Sequence, residues 1–125
     1  MKGLTTLTTL LLAISLAASA VPASAEAAAY RHYVGCGLSQ NAKPSHKCPK
    51  RSKKGAFFRS LRAEVLYKLC VRFPTRKVIC TKKPEKAERG TLYVNKITSN
   101  IPGKHRVSWF VKGKRVGVFV FRVPR

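Results

Sequence analysis

The chain of 125 residues contains no aspartate, which excludes a Ser-His-Asp catalytic triad from the outset. Acid of any kind is scarce: Glu26, Glu64, Glu85 and Glu88 stand against 26 lysines and arginines, a formal charge of +22. Glu85 and Glu88 fall in a lysine-rich stretch, where local neutralisation explains them without an acid–base role. No C-x-x-C spacing with neighbouring histidines is present, so the cysteines do not read as a metal site, and no metal or cofactor is expected. Nor does any window repeat apolar residues at helical spacing between capping residues. That absence also disfavours the basic amphipathic helix on which a membrane-disrupting protein would rely.

What is present begins with an address. Lys2, an apolar run from Leu4 to Ala18 and two small-x-small sites, Ala18-Ser19-Ala20 and Ala23-Ser24-Ala25, read as a signal peptide over residues 1–25 cleaved after Ala25. The run is too short to span a bilayer comfortably, and nothing after it approaches the roughly 18 apolar residues of a membrane helix. The expected product, residues 26–125, is one secreted domain without a transmembrane segment. Removing Lys2 from the 26 basic residues leaves 25 against four glutamates, a formal +21.

Export leads to an oxidising compartment, where Cys36, Cys48, Cys70 and Cys80 can pair in three ways. Local pairing is favoured. The stretch from Cys70 to Cys80 reads as two β-branched runs around a Pro-Thr turn, and centring that turn on Thr75 places the two cysteines opposite each other. Cys36 and Cys48 are then left to form the second bridge. Each closes a loop of about ten residues, worth on the order of 3 kcal/mol in a chain-entropy account.

Short apolar runs punctuated by turn residues predict an all-β domain of about seven strands. They begin near Tyr30–Cys36, Ala56–Leu61, Val65–Phe73, Val78–Lys82, Thr91–Thr98, His105–Val111 and Arg115–Val123. In the third, Val65, Tyr67, Leu69, Val71 and Phe73 share one face, with Lys68, Cys70 and Arg72 on the other. The fifth is less regular and suits an edge. The last two form a hairpin whose register stays open: a two-residue Gly113-Lys114 turn aligns Trp109 with Val116, Val118 and Val120, whereas a bulge or odd-length loop brings in Phe119, Phe121 and Val123.

This ending, Gly103-Lys104-His105-Arg106-Val107-Ser108-Trp109-Phe110-Val111 followed by Val116-Gly117-Val118-Phe119-Val120-Phe121-Arg122-Val123, resembles the final hairpin of immunoglobulin-like bacterial secreted domains. The periplasmic copper-carrier domains are one such group. The resemblance implies an immunoglobulin-like antiparallel β-sandwich with Trp109, Phe119 and Phe121 inward. It does not carry copper across. Lys112-Gly113-Lys114-Arg115 occupies the turn where that group has its Asp-Gly-His segment, and the expected mature N-terminus has no first-position histidine.

Charge supplies the functional expectation: a non-enzymatic interaction module whose basic loops bind an anionic polymer or envelope surface, with non-specific nucleic-acid contact as a related outcome. The densest stretch is a Pro-rich basic loop over residues 37–54, pinned by Cys48 and carrying Lys43, Lys47, Lys50, Arg51, Lys53 and Lys54. Lys112, Lys114 and Arg115 form a second candidate site. Arg76, Lys77, Lys82, Lys83, Lys86 and Arg89 form another cluster without an assigned role. The alternative is a small secreted nuclease or antimicrobial protein, for which His32, His46, His105 and Glu64 supply the acid–base candidates.

Overall fold

The computed structural model describes residues 29–125; the expected leader and its cleavage site lie outside them. Eight strands follow in order: β1 (Tyr30–Gly35), β2 (Lys54–Ser60), β3 (Val65–Arg72), β4 (Val78–Cys80), β5 (Glu85–Ala87), β6 (Leu92–Ile97), β7 (Gly103–Val111) and β8 (Lys114–Val123). They make two antiparallel sheets. Sheet A has the order β1-β2-β6, and sheet B the order β4-β3-β7-β8 with β5 also paired to β3. The strand beyond the expected seven is β5, a three-residue Glu-Lys-Ala segment with no apolar alternation to reveal it.

Alternation sets the core. Tyr67, Leu69 and Val71 of β3 turn inward beside Val107, Trp109 and Val111 of β7, while Val34, Ala56 and Phe58 face them from sheet A. Phe58 stacks on Tyr67 across the interface at 4.5 Å. The Tyr67 hydroxyl donates to Asn95 Oδ1 on β6, a polar link between sheets. Burial raises the Tyr67 pKa, and nearby Glu85 raises it further. As expected of a less regular strand, β6 lies at an edge of sheet A.

The β7–β8 hairpin resolves the open register in favour of a bulge. Its turn is Lys112-Gly113, with φ of 53° and 76°, the left-handed pair of a type I′ turn. Pairing then shifts between Trp109 and Phe110, so that Val111 faces Lys114 and Phe110 faces Arg115, yet Trp109 faces Gly117. Val116 is the extra residue. The shift brings Phe119, Phe121 and Val123 onto the face of Val107 and Trp109.

Both bridges are local, Cys36–Cys48 and Cys70–Cys80, and Cys70 pairs directly with Cys80 across β3 and β4. The first bridge holds a segment that is more than a loop. Cys48 N–H donates to Arg122 O at 3.0 Å and Arg122 N–H to His46 O at 2.8 Å, so that residues 46–48 pair in parallel with β8. The His46 ring lies flat on Phe119 at 4.2 Å, with Nδ1 bonded to Val120 O. Residues 46–48 thereby cover a sheet edge that would otherwise present unpaired backbone.

Candidate anion-binding surface

The outer face of sheet B gathers cations that are scattered in sequence. On β3, the inward phase of Leu69 and Val71 turns Arg72 outward; on β7, the inward phase of His105 and Val107 turns Lys104 and Arg106 outward. Register completes the grouping. Arg72 is the cross-strand partner of Arg106, and Lys104 is the partner of Arg122 on β8. The parallel bridge from Arg122 to Lys47 extends the second row by one more cation.

Arg76 closes this face from the β3–β4 turn. Its φ of 72° places it in left-handed backbone, and its N–H donates to Phe73 O at 2.9 Å. Gly103 permits the approach: a Cβ there would lie 3.0 Å from the Pro74 ring, and its φ is 125°. Arg72, Phe73, Pro74, Arg76, Lys104 and Arg106 consequently line one open cavity of about 420 Å³. Glu64, Glu85 and Glu88 are absent from that lining. Like charges placed opposite each other destabilise a sheet, so the pairings of Arg72 with Arg106 and of Lys104 with Arg122 cost stability in isolation.

The nine expected site residues divide. Lys43, Lys47, Lys50, Arg51 and Lys53 are exposed, and Lys47 joins the cationic face. Lys112, Lys114 and Arg115 are exposed at the turn end of the hairpin, a strand's length of roughly 25 Å from Lys104. Lys54 is a correction. It is the first residue of β2 rather than the end of the loop, it is 1 % exposed, and it takes the inward phase of Ala56 and Phe58. Its ammonium donates to Lys50 O at 3.2 Å, Ser52 O at 2.8 Å and Asn100 Oδ1 at 3.4 Å, so it braces the basic loop from beneath. Burial lowers its pKa.

Arg72, Lys104, Arg106 and Arg122 were not among the expected site residues. Their signal was the outward phase of each strand, but only the pairing between strands turns three separate alternations into one surface.

The acid–base candidates are dispersed among structural roles. His105 is fully buried: Nδ1 bonds Gly103 O at 3.1 Å, and since a carbonyl only accepts, Nδ1 carries the proton and Nε2 accepts from Ser99 Oγ at 2.8 Å. His32 packs on Trp109 with ring centroids 5.2 Å apart, and burial lowers its pKa. Glu64 pairs with Lys86 at 3.7 Å. Neither the cavity beside Arg72 and Arg106 nor the groove over the Cys70–Cys80 disulfide has a histidine in its lining. Among the described residues, no three of His, Cys, Asp or Glu gather as metal ligands.

No family model matches the sequence, and no curated protein matches it. Among solved structures, the chain is similar to an immunoglobulin-like protein from Pseudomonas aeruginosa, at 14 % identity and a TM-score of 0.51 over 75 % of this chain and 90 % of that one. A Pseudomonas fluorescens alkylpurine DNA glycosylase bound to DNA with an abasic-site analogue aligns at 15 % identity and a TM-score of 0.42, over 76 % of this chain and 29 % of the enzyme. The first likeness, together with the two antiparallel sheets, shows the fold: an immunoglobulin-like β-sandwich.

Proposed function

We propose that this domain is a secreted, non-enzymatic module that binds anionic polymers of the cell envelope or surroundings on the outer face of sheet B. One observation carries the reading: Arg72 opposite Arg106, and Lys104 opposite Arg122 with Lys47 beyond, with no glutamate lining the cavity beside them. A polymer with regularly spaced phosphate, sulfate or carboxylate groups satisfies two adjacent rows of cations better than a single ion does. The exposed Lys43, Lys50, Arg51 and Lys53 extend the positive field from the neighbouring loop and speed encounter. Two disulfides in a small immunoglobulin-like domain are compatible with an extracellular or periplasmic location. Among the described residues, no helix is long and apolar enough to cross a membrane.

The test is retention on immobilised polyphosphate across a salt gradient. R72Q/R106Q and K104Q/R122Q elute at lower salt than the parent, and each cation removed lowers the slope of log affinity against log salt by roughly 0.7–0.9 if it contacts a phosphate. K50Q/R51Q/K53Q shifts elution less than either sheet variant. Unchanged elution of both sheet variants would refute the assignment. Hydrolysis of RNA by the purified domain, lost on replacing His46, would instead establish the nuclease alternative.

A further inference from the structure

At the opposite end of β3 the same outer face changes character. A groove of about 1100 Å³ passes over the Cys70–Cys80 disulfide towards the β7–β8 turn, with Leu66, Phe110 and Val116 among its apolar walls. Leu66 is 57 % exposed. That volume exceeds the roughly 300–1,000 Å³ of ordinary small-ligand clefts, and the lining is mainly hydrocarbon and disulfide sulfur. The charged side chains in the lining are Lys68, Lys112, Lys114 and Glu64, and Glu64 is already paired with Lys86.

We propose that this groove binds the acyl chain of a single-chain anionic amphiphile, with Lys68 and Lys112 holding its carboxylate. Three observations select that occupant. Its apolar walls come from several elements, outward Leu66 and Phe110 together with Tyr30, Val65, Val111 and Val116, and the two strands beneath it, β3 and β7, are interior and paired on both sides, so they present no free row of backbone donors and acceptors to an extended peptide. The rim is positive, and a second copy of this polycationic chain would bring the same charge against it. An amphiphile with one anionic end matches a mainly apolar trough whose charges, apart from the paired Glu64, are all lysines: Lys68 between Leu66 and Cys70 on β3, and Lys112 and Lys114 at the β7–β8 turn. Leu66 and Arg72 are six residues apart on one strand, roughly 20 Å, while the near end of the groove at Cys70 lies two residues from Arg72, so the two sites adjoin and Leu66 is the part of the groove remote from the polymer-binding rows.

The experiment is a fluorescence titration of the intact domain with a long-chain fatty acid carrying a reporter at its methyl end, below its aggregation concentration. Saturable one-to-one binding is expected, with the carboxylate about tenfold tighter than the alcohol of equal length, since only the former gains charge-assisted hydrogen bonds. L66Q weakens it about tenfold by placing an amide against the chain, and K68Q/K112Q removes most of the preference for the carboxylate over the alcohol. Leu66 is exposed, so L66Q folds, and it elutes from polyphosphate with the parent; a failure here is thereby distinct from a failure of the polymer reading. Absence of saturable binding would overturn the proposal. So would equal affinity for acid and alcohol, or a dimer in solution that occludes Leu66.

Discussion

The His32 ring occupies the space above Gly117: a Cβ on that glycine would lie 2.6 Å from His32 Cγ and Nδ1 and 2.7 Å from Cδ2. Gly117 is also the residue opposite Trp109, on which His32 packs. The absence of a side chain on β8 is therefore what lets β1 close against the hairpin. G117A forces the ring or the sheet to move, although alanine alone would favour a strand over glycine. The expected cost is about 1–3 kcal/mol, typical of overpacking a filled interior, read as a lower urea midpoint with an unchanged denaturant slope. An equally stable or more stable G117A would show that the ring is free to shift.

Acid should weaken the fold through His105. Burial depresses its pKa below the ordinary 6.5, the neighbouring Lys54 ammonium lowers it further, and the Gly103 carbonyl opposes both. The unfolded chain therefore binds the proton first. Stability from this group is complete above about pH 6.5 and falls as pH drops from there through the depressed folded value, by at most about 1.4 kcal/mol per pH unit. His32, also depressed by burial, acts in the same direction. Urea midpoints at pH 7.5 and 5.5 should differ, and H105Q should narrow the difference. A midpoint that rises toward acid would contradict this account.

Much of the sandwich was legible because alternation is a local property. The inward phase of Val65, Tyr67, Leu69 and Val71 is visible without knowing any partner, and the placement of Cys70 opposite Cys80 follows from a short turn. What escaped depends on distant pairing. Arg72 could be assigned to an outward face, but its pairing with Arg106 is set by a register between strands far apart in sequence. Lys54 looks like its neighbours Lys50 and Lys53 in a basic run; only the extension of β2 back to residue 54 puts it in phase with Ala56 and Phe58. The hairpin register turned on the extra residue Val116, which apolar alternation alone does not reveal.

The burial of Lys54 makes it separable from the exposed lysines around it. K54M removes the donor from Lys50 O, Ser52 O and Asn100 Oδ1 and should cost about 1–3 kcal/mol, the usual range for stranding a buried polar partner. The loop above loses its brace, so trypsin should cut after Lys50, Arg51 or Lys53 faster than in the parent. K53Q, at an exposed position, should leave stability within about 0.5 kcal/mol. A K54M variant as stable and as resistant as the parent would mean that solvent replaces the ammonium without loss.

The two disulfides should respond differently to reductant. Cys80 is exposed and Cys70 half-buried on the outer face of sheet B, whereas Cys48 is fully buried and its own N–H bonds Arg122 O of β8. Reduction by thiols under native conditions requires access to sulfur, so Cys70–Cys80 should open first, as mass mapping of alkylated cysteines would show. The structural cost should run the other way. Cys70–Cys80 links strands already joined by hydrogen bonds, and β4 buries none of its three residues. Its removal as C70S/C80S should fall at the low end of the roughly 2–5 kcal/mol typical of small secreted domains. C36S/C48S should approach the high end, because it also frees residues 46–48 from β8 and uncovers that edge, with self-association as the visible result. Equal losses from the two double variants would show that residues 46–48 hold the edge without their bridge.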